Sequence, residues 1–221
     1  MRSHYKKMLF VFCAALCVNN VLAKPITPKD NAIIASSNAT LSANLTLEQL
    51  TALVLNSQYI GQTVRYQGVL KKRLKNLYTA SATAQSGYLY ARVLQKEHAF
   101  SRAIDVANNV LKTQPDHVNT HLLLANMLMT QGKFEQAKRH CVALIGNTSL
   151  LTASTCVLDV QSQQGKLSES YHALVKLTQN KNSSLATKHV LSEMAFRLNK
   201  FTRAQQHINN IDLNTAPVSL I

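Results

Sequence analysis

Residues 84–150 read AQSGYLYARVLQKEHAFSRAIDVANNVLKTQPDHVNTHLLLANMLMTQGKFEQAKRHCVALIGNTSL and contain one pattern twice. Phe100 is followed three residues later by Ala103, and 34 residues on (134 − 100) Phe134 is followed by Ala137. The pairing recurs at Leu167 with Ser170 and at Phe201 with Ala204, so the steps are 34, 33 and 34. Three more tracks keep these steps: Tyr90, Leu124, Val157 and Leu191; Ala107, Cys141, Leu174 and Ile208; Val110, Leu144, Leu177 and Ile211. Within a unit the spacing i, i+3, i+7, i+10 marks one face of a helix. Turn-tolerant Gly132, Gly165 and Asn199 fall at equivalent places, and His98 breaks that pattern in the first unit. A single helix pair cannot bury its own apolar face, so neighbouring pairs must stack, and the small residues let backbones approach closely.

The unit resembles the tetratricopeptide repeat (TPR), about 34 residues of helix, turn and helix. Its best match is Tyr90-Ala91 and Leu94, then Phe100, Ala103, Ala107 and the closing Pro115, followed by Leu124-Ala125, Leu128, Gly132, Phe134 and Ala137. Repeats are placed at 84–117, 118–150, 151–184 and 185–218, about 60% of the chain. The third departs from the pattern at Gln161 and Ser170, and the second and third lack a closing proline. The resemblance implies an all-α, right-handed solenoid of antiparallel helix pairs. It also implies a concave groove, lined by the first helices, that takes a partner peptide. By match to groove positions the candidate contacts are Tyr88, Arg92 and Gln95; Leu122, Asn126 and Met129; Thr155 and Asp159; and His189, Glu193, Phe196 and Arg197. The set with which some family members clamp a terminal carboxylate is not reproduced, since Asn126 alone matches. Leu122, Met129 and Phe196 point to a peptide with apolar anchors.

Ahead of the repeats, Thr46 followed by Gln49 fits a capping box, with Leu47, Leu50, Leu53 and Val54 on one face. After Gly61 a second helix is expected from Thr63 to about Tyr78, with Leu70, Leu74 and Leu77 in a stripe. This pair at 46–79 reads as a degenerate unit, because Tyr66 and Val69 precede Phe100 and Ala103 by 34, though Arg73 and Asn76 at the later positions do not fit. Residues 24–45, rich in Ala, Ser, Asn and Thr, read as a flexible leader. Residues 1–23 read as a signal peptide: Arg2, Lys6 and Lys7 precede the apolar run Met8 to Val18, and Val21-Leu22-Ala23 ends it. That run is too short to span a bilayer, and Phe12 and Leu16 before Cys13 and Cys17 disfavour lipid attachment. Cleavage leaves 198 residues (221 − 23), and the expected address is the cell envelope, a periplasm above all.

Composition agrees: Trp is absent, Gly and Pro number only 6 and 4, and apolar residues make up 46%, which suits helices joined by short turns. Outside the signal the cysteines are Cys141 and Cys156, for which a structural disulfide is the natural reading, ahead of buried thiols or a redox pair. The formal charge of +14 becomes 21 − 10 = +11 without the signal. It is densest at Arg65, Lys71, Lys72, Arg73 and Lys75, interleaved with leucines. A solvated face is the plain reading of that run; the alternative function is binding of anionic envelope polymer or lipid. Nucleic acid is disfavoured for an exported protein.

His117 and His121 at i, i+4 beside Asp116, and His140, make a weak metal signal, and surface residues are expected there. No G-x-S-x-G, no Gly-rich phosphate loop and no paired-carboxylate motif occurs, so neither a catalytic site nor a cofactor is expected. The sequons at Asn38, Asn44, Asn147 and Asn182 are about as many as chance supplies in so Asn-, Ser- and Thr-rich a chain. After Ile211 no further helix is complete before Ile221, so the last repeat is expected to be covered by a partner or continued in a longer protein. The sequence thus predicts a non-catalytic protein-interaction module.

Overall fold

The computed structural model describes residues 46–59, 63–179 and 183–209, apart from the side chains of 52, 55–59 and 63–67. The expected signal at 1–23, the leader at 24–45, Gly61, the Arg65 and Tyr66 side chains, and Ile211 with all that follows it lie outside the described residues.

Ten helices are described, in five successive pairs. They are α1 (Leu47–Tyr59) with α2 (Thr63–Ser81), α3 (Ala84–Lys96) with α4 (Phe100–Thr113), α5 (Val118–Thr130) with α6 (Phe134–Val142), α7 (Leu150–Gln163) with α8 (Leu167–Thr178), and α9 (Leu185–Arg197) with α10 (Phe201–Asn209). Among the described residues there is no strand, only an isolated bridge between Ile145 and Thr148.

The helix starts follow local chemistry. The capping box at α1 is complete: Gln49 N–H donates to Thr46 Oγ1 at 3.2 Å, and Thr46 N–H donates to Gln49 Oε1 at 2.9 Å. Thr83, Ser149 and Ser184 accept from the backbone N–H three residues on and so start α3, α7 and α9. The stops inside the four repeats share one geometry. Residues 98, 132, 165 and 199 have φ of 58°, 74°, 99° and 60°. The next residue's N–H then reaches five back, from Ala99 to Leu94, Lys133 to Leu128, Lys166 to Gln161 and Lys200 to Ala195, at 2.8–3.1 Å. This is the left-handed helix ending that glycine favours. His98 breaks the pattern in composition but not in conformation, with its ring lying edge-on to Phe100 at 5.7 Å.

The small-residue tracks land in the core, whereas Phe100, Phe134 and Leu167 are half-buried and Phe201 is 57% exposed. Ala103 and Ala137 are fully buried, Ser170 and Ala204 nearly so, and Ala107, Cys141 and Leu174 show no exposure. Ile208, their counterpart in α10, is 45% exposed. A following first helix covers that position in the inner repeats, and no described helix follows α10. The third repeat also differs. Val157 and Gln161 are only half-buried, while Ala153, Cys156 and Val160 carry the burial on α7. Cys156 is bonded to Cys141, with Cα atoms 5.4 Å apart, which ties this stripe to α6.

The first helices touch in succession, α1 with α3, α3 with α5, α5 with α7 and α7 with α9. Among the described residues no second helix comes as close to the next second helix along its backbone, although α8 and α10 meet through the Tyr171 hydroxyl and His207 Nε2 at 3.3 Å. A stack whose one layer is closer-spaced than the other curves toward the closer layer, so the first helices form the concave side.

Candidate functional site

Three rows of side chains cross the concave side, because the repeat step places equivalent residues at equal depth on α3, α5, α7 and α9. The first row is Tyr88, Leu122, Thr155 and His189; the second is Arg92, Asn126, Asp159 and Glu193; the third is Gln95, Met129, Ser162 and Phe196. Every groove residue expected from sequence falls in these rows except Arg197, which adjoins them together with its counterpart Lys96. Sequence reasoning does not single out Ser162 or Lys96. A step of 33 from Met129 lands on Ser162, so the signal is there.

Several of these side chains bind one another. Arg92 donates to the Tyr88 hydroxyl at 2.7 Å, four residues back on α3. Gln95 donates to Asn126 Oδ1 at 2.7 Å and joins α3 to α5. Thr155 meets Thr187 hydroxyl to hydroxyl at 3.2 Å, and the Arg197 guanidinium donates to Ser162 Oγ at 3.1 Å and Ser162 O at 3.0 Å. Both contacts join α7 to α9. Tyr88, Arg92, Thr155 and Ser162 are thereby buried and act chiefly as the groove floor. Gln95, Leu122, Met129, Asp159, Glu193, Phe196 and Arg197 are half-buried, and Asn126 and His189 are exposed. Phe196 also lies edge-on to Phe201 at 5.4 Å, which fixes its ring.

Charge is not spread evenly along the rows. Arg92 and Lys96 sit one turn apart on α3, and burial together with Arg92 holds the Lys96 ammonium below the usual lysine range. Asp159 and Glu193 occupy one row on α7 and α9. Burial first, then Glu193, pushes the Asp159 carboxyl up to about 7 against the opposing pull of Arg197 and of hydrogen bonds to Gln163 and Ser162.

The basic run does not form one free face. Lys71 is paired with Glu97 of α3 at 2.8 Å, Lys72 and Lys75 are exposed, Arg73 is half-buried, and Leu70 and Leu74 are in the core. The three histidines are held by protein atoms: His117 Nδ1 lies 2.8 Å from Thr120 Oγ1, His121 Nε2 lies 2.8 Å from Pro115 O, and His121 meets His140. Away from the rows, α7, α8 and the turn after α6 frame an apolar groove of about 710 Å³ that includes Ile145, Leu150, Ser154, Val157, Ala173 and Leu177. Among the described residues no helix is long and apolar enough to cross a membrane.

The sequence matches no protein-family model and no curated protein. Solved structures are similar in fold. A thermophilic TPR protein from Thermus thermophilus superposes with a TM-score of 0.59 at 11% identity, over 74% of this chain and 89% of that one. A tetratricopeptide repeat protein from Parabacteroides merdae gives 0.56 at 12% identity, over 85% and 72%. The TPR-like repeats of a putative kinesin light chain from Podosopora anserina give 0.52 at 16%, over 74% and 91%. With its repeat step, its left-handed turns and these neighbours, the chain has the fold of a tetratricopeptide-repeat protein.

Proposed function

We propose that this chain is a non-catalytic interaction scaffold that holds a segment of another protein in its concave groove. One contrast carries the reading. Along the packing tracks residues keep their kind from repeat to repeat, whereas along the groove rows the chemistry changes at every step, as from Arg92 to Asn126, Asp159 and Glu193. A row that only filled space would not need four chemistries; a row that reads an extended ligand does. The half-buried Leu122 and Met129 would supply apolar anchoring, and polar side chains around them would fix register. The apolar run ahead of Ala23 supports placing the scaffold in the cell envelope, where an oxidising medium suits the Cys141–Cys156 bond. The rival reading, anionic polymer or lipid at the basic helix, draws on exposed Lys72 and Lys75 but loses Lys71 to its partner on α3.

A photo-crosslinking residue at Met129, in cells making the full chain, tests the reading. A discrete protein adduct is expected from Met129 and none from Asn108 on the exposed side of α4. The opposite pattern would remove the groove from the mechanism. Binding that disappears with rising ionic strength and with substitution of Lys72 and Lys75 would favour the rival.

A further inference from the structure

We propose that the apolar groove framed by α7, α8 and the turn after α6 binds a single-chain fatty acid, its hydrocarbon tail along α7 and its carboxylate at Lys176. The inference is independent of the concave groove and its rows. The site is a piece of core that this sequence leaves unfilled. At the track position of Val157 the other repeats carry Tyr90, Leu124 and Leu191, and at that of Leu177 they carry Val110 and Leu144, all buried. Val157 and Leu177 are only half-buried and line the groove instead. One cause is the shift of the buried stripe of α7 onto Ala153, Cys156 and Val160, held by the bond from Cys156 to Cys141. The other is side-chain size: His121 and His140 meet in the second repeat, and 33 residues on (154 − 121 and 173 − 140) their places are taken by Ser154 and Ala173.

The chemistry departs from that of the equivalent surface one repeat earlier. There Leu111 and His140, the counterparts of Ile145 and Ala173, are accompanied by Asp105, Asn108, Asn109 and Lys112. Here the lining is aliphatic except for Ser154, Gln161 and Lys176. Ile145 and Leu150, at 59% and 70%, are the most exposed large apolar side chains among the described residues. Exposed apolar surface beside a recess of about 710 Å³, a volume that small ligands fill, marks a binding site.

The occupant follows from what the lining can satisfy. An extended peptide would bring backbone N–H and C=O groups to a groove that meets them with only Ser154 and Gln161 as uncharged polar side chains. A hydrocarbon chain brings none. From Leu150 to Gln161, 161 − 150 = 11 residues, the lined face of α7 runs about 16 Å, which suits a chain lying along the helix. The turn at Gly165 reverses the chain, so Lys176 near the end of α8 stands level with the start of α7 and puts a cation at one end of the trough. Lys176 is the one charged residue of the lining, and among the described residues it has neither an ion pair nor a side-chain hydrogen bond. A carboxylate placed there gains a charge-assisted bond, and no acid in the lining repels it.

The probe is dodecanoate, kept below its micelle concentration and titrated by calorimetry against the oxidised full chain at low salt. One-to-one binding is expected, with decanoate about tenfold weaker for two buried methylenes fewer and dodecanol about tenfold weaker for want of the charge. Lys176→Glu, at an exposed position, should weaken dodecanoate by about tenfold and leave dodecanol unchanged. Ser154→His with Ala173→His, which copies the plug of the second repeat, should abolish binding of both, with helix content and melting compared first. If that double variant does not fold, Ala173→Phe at an exposed position of α8 fills the same space. Equal binding of acid and alcohol overturns the carboxylate site, and no binding, or binding that survives the plug, overturns the groove as the place. Attachment to phosphatidylglycerol vesicles without uptake of free dodecanoate would make the patch a membrane contact and overturns the proposal too. The Met129 crosslink reads the concave groove separately and should be the same in parent and variants.

Discussion

His121 and His140 meet Nδ1 to Nδ1 at 3.1 Å between α5 and α6. Pro115 O can only accept, so the 2.8 Å contact from His121 Nε2 fixes a proton there and leaves His121 Nδ1 as acceptor for a proton on His140 Nδ1. One repeat on, a step of 33 places Ser154 and Ala173 at the same two positions, and there the side groove opens. The imidazole pair is therefore a core plug of the second repeat, and its small counterparts leave the third unplugged.

The plug makes stability depend on pH. Burial, then His121, then Arg139 hold His140 down to about 4 from an ordinary 6.5, and burial lowers His117 as well. Between those values the unfolded chain takes up a proton that the folded chain refuses, so this contribution is complete above pH 6.5 and is lost as pH falls toward 4. His140→Gln should flatten the melting temperature between pH 7 and pH 5 relative to the parent. A parent curve no steeper than the variant's would show that the pair carries no such linkage.

The disulfide closes a loop of 15 residues between Cys141 and Cys156 and joins two helices of successive repeats. On the loop-entropy estimate a loop of that length contributes about 3 kcal/mol. Thiol reductant, or a double change to alanine, should lower the denaturant midpoint accordingly, with the repeat step and helix content kept. Reduction without effect on the midpoint would mean that helix packing alone sets the seam.

Two helical glycines give opposite expectations. A Cβ at Gly87 would meet Val110 of α4 and stand 2.9 Å from the Tyr78 ring, whereas nothing lies within 4 Å of one at Gly68. Gly87→Ala should destabilise by roughly 1 to 3 kcal/mol through overpacking, and Gly68→Ala should stabilise by up to about 1 kcal/mol through helix propensity. Chemical denaturation of both variants checks the pair. A stabilised Gly87→Ala would show that α4 can move away from α3.

Much of this arrangement was legible because repetition multiplies weak signals. A lone Phe100-x-x-Ala103 says little, but the same pair at three further steps fixes which helix faces are buried and, by counting outward, which residues form the rows on the first helices. Side-chain commitments were less legible. Nothing in Arg92 or Thr155 as residue types tells that each is turned to a neighbouring hydroxyl and buried, because the depth of a groove depends on how closely the first helices stack. His98 was misleading for a related reason. Composition marks it as the exception among the turns, yet the backbone bonds of the turn hold it in the conformation that glycine adopts elsewhere.

Asp159 supplies the last expectation, and its sign opposes that of His140. Its carboxyl sits near 7 in the fold against an ordinary 3.8, so from pH 3.8 to 7 the folded chain holds a proton that the unfolded chain has released, and stability falls as pH rises across that window. Asp159→Asn keeps shape and hydrogen-bonding capacity but has no charge to strand. It should leave stability near pH 4 almost unchanged and raise it above pH 7 by on the order of 1 to 3 kcal/mol. Glu193→Gln, which removes only the neighbouring charge, should recover part of that gain. If Asp159→Asn were neutral or destabilising at pH 8, the carboxylate would be adequately paired by Arg197.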